Sequence, residues 1–182
     1  MGKARDIASA APAPAGVTTT ELGYVDGVTS AIQTQINTKA NSSTPVLTGP
    51  IFIAPEERTT VSATVATGTI NFDAVTQGVL YYTSNASANW TLNVRGSSGA
   101  TLNSILATGD SITVAFLVTQ GSTAFRHTAL TIDGNAQTVL WSGGTAPASG
   151  NASGVDVYTF TIIKTAGTPA YTVFGAGPIK YA

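Results

Sequence analysis

One histidine, no cysteine and nine acidic side chains are the whole supply of strong metal ligands and proton carriers in this chain of 182 residues. His127 stands in the run Phe125-Arg126-His127-Thr128-Ala129-Leu130. Its setting reads as a partly exposed strand residue, or as one that pairs at a subunit interface. Without a thiolate, a lone imidazole completes a zinc site only by recruiting several carboxylates, so no metal site is expected. Beyond residue 58 the carboxylates are Asp73, Asp110, Asp133 and Asp156, scattered along the chain among Gly, Asn and Ser turn signals. Glycoside hydrolysis needs two carboxylates acting together, and no spacing here marks such a pair, although folding can bring distant residues together. There is no nucleophile elbow, P-loop or dinucleotide fingerprint. The reading is of a chain with no catalytic residue and no cofactor.

The aromatic side chains Tyr81, Tyr82, Trp90, Trp141, Tyr158 and Tyr171 are the remaining groups with binding chemistry. Trp90, flanked by alternating Leu92 and Val94, reads as a core anchor. Trp141 opens a long loop of small residues that runs to Asn151, and such loops carry binding as well as connection. Trp141, Thr145 and Asn151 are therefore the candidate glycan contacts, with core packing of Trp141 as the plainer alternative. Arg95, Arg126, Lys164 and Lys180 balance the four aspartates of this region. No net field favours an anionic partner, so a ligand would be a neutral glycan held by rings and amides.

The elements that must position these groups are strands. Short runs rich in β-branched and aromatic residues recur between Gly, Asn, Asp and Ser clusters, at 60–66, 69–73, 79–83, 90–95, 111–119, 125–132, 138–141, 157–164 and 171–174. Ile112, Val114, Phe116 and Val118 alternate with Thr113, Ala115, Leu117 and Thr119, and Tyr158, Phe160 and Ile162 share one strand face. Asp133-Gly134 and Gly109-Asp110 mark tight turns. Strands without a long amphipathic helix predict a mainly β head over residues 59–182, an antiparallel β-sandwich or jelly roll.

The segment before the head has a different character. Residues 1–17 read as an extended arm, because the Pro/Ala tract from Ala10 to Ala15 can neither build a helix nor bury a core. Within the arm, Lys3, Arg5, Asp6 and Ile7 are the side chains able to anchor it to a partner. A short helical stalk is predicted for residues 18–40. Thr18 with Glu21 forms a capping box, and Val17 with Leu22 a hydrophobic staple. Leu22, Val25, Ile32 and Ile36 lie on a coiled-coil-like seam, whose isoleucines favour more than two strands. Gly23 and Gly27 each weaken the helix by about 1 kcal/mol, so the stalk needs partner copies, and a trimer is expected. Residues 41–58, with Pro45, Pro50 and Pro55, form a Pro-rich β connector confined to edge or crossover geometry.

Charged residues make up 9% of the sequence and hydrophobic ones 43%, with a formal net charge of −1. That balance leaves no basic footprint for nucleic acid. No apolar run reaches the roughly 18 residues of a spanning segment, and none of signal type follows Met1. No membrane insertion is expected. Without cysteine, stability outside a cell would come from packing and oligomerisation.

The stalk run ELGYVDGVTSAIQTQINTKA, followed by STPVLTGPI, resembles short modules of fibre proteins of tailed bacteriophages, above all those infecting cyanobacteria. The opening GKARDIA is similar to the first residues of such virion proteins. The stretch from Tyr81 to Ser122 is similar to a β-domain of structural proteins from the same phages. The resemblance covers most of the chain and implies a homotrimer, made in the host cytoplasm and built into the virion as an external appendage of head, neck or tail. It implies contacts with other virion proteins through the arm, and it carries over no catalytic residue. A tail-fibre module that recognises host surface glycan is the alternative it leaves open. The single stalk module, about 30 Å of helix if continuous, is shorter than in long receptor-binding fibres.

Overall fold

The computed structural model describes residues 55–182, together with Thr18 and Thr20. The chain divides into two compact units, Met1–Ile53 and Ala54–Ala182. The arm with Lys3, Arg5, Asp6 and Ile7, the seam of Leu22, Val25, Ile32 and Ile36, and the connector up to residue 54 lie outside the described residues.

The second unit is mainly β. Its strands are β1 (Thr59–Val65), β2 (Gly68–Asp73), β3 (Val79–Ser84), β4 (Trp90–Arg95), β5 (Ser111–Gln120) and β6 (His127–Ile132), then β7 (Asn135–Gln137), β8 (Val139–Trp141), β9 (Gly154–Ala166) and β10 (Ala170–Tyr181). They form a six-stranded sheet in the order β1-β3-β5-β9-β10-β8 and a four-stranded sheet in the order β2-β4-β6-β7. Each stretch predicted as a strand is one. The short β7 escaped because its Asn-Ala-Gln run has none of the branched or aromatic side chains that mark a strand.

The expected antiparallel or jelly-roll arrangement is corrected by the pairing. β1 with β3, β3 with β5, β2 with β4, β4 with β6 and β10 with β8 run parallel. Only β5 with β9, β9 with β10 and β6 with β7 are antiparallel among the described residues. From β1 to β6 the chain alternates between the sheets, so successive strands of one sheet point the same way. A parallel pair needs a crossover of about a dozen residues or more, and here the crossover is itself a strand of the opposite sheet. Alternation of side chains tells which face of a strand is buried but not the direction of its neighbour.

Between the sheets lies one core. Ile70, Phe72, Trp90, Leu92, Val94, Leu130 and Ile132 face Leu80, Val114, Phe116, Val118, Tyr158, Phe160 and Ile162. Trp90 meets Phe116 and Tyr158 edge-on, with ring centroids 5.9 and 5.8 Å apart. Each large side chain buried in this way contributes roughly 1.5–3 kcal/mol. The alternation of Val114, Phe116 and Val118, and of Tyr158, Phe160 and Ile162, turns inward as predicted.

One end of the core is closed by a short helix, α1 (Leu102–Ile105), whose Leu102 is fully buried. Thr101 caps it by accepting from Ser104 N at 3.1 Å. The Asp133 carboxylate accepts from Leu102 N at 2.7 Å and Asn103 N at 3.1 Å, a negative charge on the free donors of the first turn. At the other end of α1 the buried Lys164 donates from Nζ to the carbonyls of Asn103 and Leu106, at 2.8 and 2.7 Å. Asp133 itself sits with Gly134 in the β6–β7 hairpin, at φ of 50° and 81°. Positive φ at both central residues is what a two-residue type I′ turn demands, so the Asp-Gly signal marked the turn correctly.

Candidate functional site

Trp141 ends β8 and leads into a tight turn, Ser142–Gly144, in which Gly143 and Gly144 take φ of 78° and 76°. A Cβ on Gly175 of β10 would stand 3.1 Å from the indole and 2.5 Å from Val139 Cγ1, so the missing side chain gives Trp141 its seat. The ring packs edge-on against His127 and Phe160, with centroids 5.6 and 5.8 Å away. Its remaining surface lines a groove of about 400 Å³ with Leu140, Ser142, Thr159, Thr161, Phe174 and Ala176. Parallel pairing of β10 with β8 sets Phe174 beside Leu140, and both are about half exposed. The groove offers apolar faces and hydroxyl groups and no titratable side chain. It suits an uncharged ligand held by stacking, with hydrogen bonds to threonine and serine oxygens.

The other two candidate glycan contacts are not brought there. Thr145 is exposed in the following loop and lines no part of the groove. Asn151 is committed to the fold: its Nδ2 donates to Asp156 Oδ1 at 2.7 Å and its backbone N–H to Asp156 Oδ2 at 2.9 Å. Gln120 Nε2 adds a third hydrogen bond to that buried carboxylate at 3.1 Å and also reaches the Phe125 carbonyl at 2.7 Å. At Gly150 a Cβ would collide with the Phe125 carbonyl oxygen and approach Asp156 Oδ2 to 2.9 Å. The far end of the loop is thus pinned to the core. Leu140, Phe174, Thr159 and Thr161 were missed, because only the β8–β10 pairing joins the two apolar residues and no local motif signals it.

His127 is a correction. It is neither partly exposed nor placed at the surface, but 3% accessible and enclosed by Trp141, Tyr158 and Phe160. Burial, with Arg126 nearby as a smaller influence, lowers its pKa from the usual 6.5 to about 4. Burial likewise pushes the Tyr158 phenol up. His127 Nε2, Tyr158 Oη and Trp90 Nε1 find no hydrogen-bond partner among the described residues. A neutral imidazole among rings acts in packing, and among the described residues no carboxylate stands beside it as an orienting partner of the kind a general base needs.

The four aspartates have structural occupations. Asp73 pairs with Arg95 at 2.6 Å, Asp110 accepts from Ala107 N at 2.8 Å, Asp133 holds α1 and Asp156 holds two loops. A second concavity of about 470 Å³, lined by Asn93, Arg95, Ser97 to Thr101, Asp133 and Gly134, contains Asp133 and the Arg95 partner of Asp73, both with their bonds already made. Among the described residues, no three His, Cys, Asp or Glu side chains gather as metal ligands. No helix among them is long and apolar enough to cross a membrane. Comparison with known protein families, curated proteins and solved structures found no match.

Proposed function

We propose that this chain is a structural component of a tailed-phage particle: a short trimeric fibre or appendage, anchored by residues 1–17 and displaying the β head. The observation that carries the reading is the order of parts. A fibre-like stalk module, residues 21–51, stands directly before a compact β unit that begins at Ala54. The spare use of charge and the structural occupation of each aspartate in the head agree with a building role.

Electron microscopy of intact particles labelled with antibody to the head tests the proposal and locates the appendage. Label on the particle surface supports it, and particles free of the protein overturn it. A chain starting at Val17 is expected to fold and associate yet fail to enter particles, which assigns attachment to the arm.

The groove beside Trp141 favours a second role for the same appendage, recognition of a neutral host glycan. Three weak sites on one trimer would gain by avidity. A glycan array followed by calorimetry tests this role. Binding that is nearly insensitive to salt and lost in Trp141→Ala supports it, whereas steep salt dependence points to a charged ligand instead.

A further inference from the structure

The two outer faces of the sandwich differ in kind. On the four-stranded sheet the outward positions are Thr69, Asn71 and Asp73, then Thr91, Asn93 and Arg95, then Ala129, Thr131 and Ala136. Asn71, Asn93 and Thr131 form a hydrogen-bonded ladder at 2.8 Å per step, and Arg95 pairs with Asp73. This is how the protein builds a face for water.

The six-stranded sheet shows the opposite. Pairing aligns Val61, Tyr81, Leu117, Val157 and Ile179 into one outward row across five strands. Val155 with Tyr181 extends it on one side, while Phe174 and Leu140 lie beyond its other end, in the groove beside Trp141. The strand positions around the row are Thr59, Val79, Thr113, Ala115, Thr119 and Ile163, and none carries a charge. Val61, Ile179 and Tyr181 are 63%, 51% and 61% exposed. Tyr81, Leu117, Val155 and Val157, with Tyr181 as one wall, line a hollow of about 400 Å³, so the protruding Val61 and Ile179 share a face with a socket.

From strand spacing and rise, the face covers on the order of 600 Å² in projection. Without the groove beside Trp141 it is about 500 Å², within the range of the largest, often functional, apolar patch on a typical monomer, about 300–600 Å², and more than half of the ~800 Å² that each partner contributes to a standard stable interface. Depletion of charge is the compositional mark of an interface centre. A face without charge has no pattern by which to select a charged partner, and its complement is another uncharged face of similar size.

We infer that the outer face of the six-stranded sheet is the surface through which heads of this chain pack against one another, with Leu117 and Val157 at the centre of the contact. The number of copies, three, rests on the trimer proposed above; the face does not. Knob and socket side by side on one face allow each head to engage the next and the ring to close.

The chain contains no cysteine, so one introduced thiol reports contact between copies. Leu117→Cys is expected to form an interchain disulfide under mild oxidation, whereas Asn71→Cys on the polar face does not. Equal cross-linking of both variants, or none at Leu117→Cys, overturns the inference. In a second measurement, the full chain carrying Ile32→Asp and Ile36→Asp is expected to remain associated at micromolar concentration by light scattering. Adding Leu117→Lys and Val157→Lys should then reduce it to monomer. A seam variant that is already monomeric, or a fourfold variant that stays associated, refutes the head interface. Cross-linking at Leu117 in a protein absent from particles would sink the virion proposal alone, and particle incorporation without cross-linking would sink this one alone.

Discussion

A single imidazole makes the head's stability depend on pH. His127 keeps its proton only below about pH 4 in the folded chain, whereas in the unfolded chain it titrates near 6.5. Between those values the unfolded state binds more protons. The stability contributed by the neutral ring is therefore complete above about pH 6.5 and is lost as pH falls toward 4, by ~3 kcal/mol in all. Urea unfolding of the wild type and of His127→Phe at pH 7 and pH 4 checks this. The wild type should lose more stability than the variant across that interval, and equal losses would remove His127 as the cause. At this scale the sequence was informative where a residue's own strand decides its surroundings, as for Trp90, which shares one strand face with inward-facing Leu92 and Val94. It misled at His127, whose burial depends on Trp141 and Phe160 from strands formed later in the chain. Nor does any local signal show that the Asn151 amide donates to Asp156.

At the scale of elements, α1 shows how four residues with no helical stability of their own are kept in place. Asp133 from a hairpin holds the first turn, and Lys164 from β9 holds the last carbonyls. Lys164→Met preserves the aliphatic stem but leaves both carbonyls without their charged donor. Bonds of that kind contribute about 1.5–3 kcal/mol and a buried unsatisfied group costs about 1–3 kcal/mol, so the variant should lose roughly 2–4 kcal/mol. Chemical denaturation monitored by circular dichroism measures it, and a loss below about 1 kcal/mol would show that water replaces the ammonium at little cost. The helix was invisible in the sequence, because its donors and acceptors are supplied by residues far away along the chain. Strand positions and the Asp-Gly hairpin were legible, since local chemistry decides them. The parallel sense of most pairings was not: it is a property of the crossings between sheets, which leave no local mark.

For the molecule as a whole, the contrast between a polar and an uncharged outer face governs how proposed assemblies should answer to solvent. An interface without charges has little to lose to screening, and salts excluded from apolar surface strengthen burial. Sedimentation of the full chain should give an unchanged oligomer mass from about 0.05 to about 1 M sodium chloride, and sulfate should tighten the assembly. Dissociation by salt alone would instead place charged pairs at the contact. The order of strands also bears on time. β9 lies between β5 and β10 in the larger sheet, yet of the ten strands described only β10 leaves the ribosome after it. Until it arrives, β5 has an open edge and Tyr158, Phe160 and Ile162 are missing from the core. An unpaired edge invites wrong pairing. Synthesis must therefore run almost through Tyr181 before the sheet can close, and the face proposed to join the heads is complete only after that closure. Folding within one chain thus precedes recognition between chains.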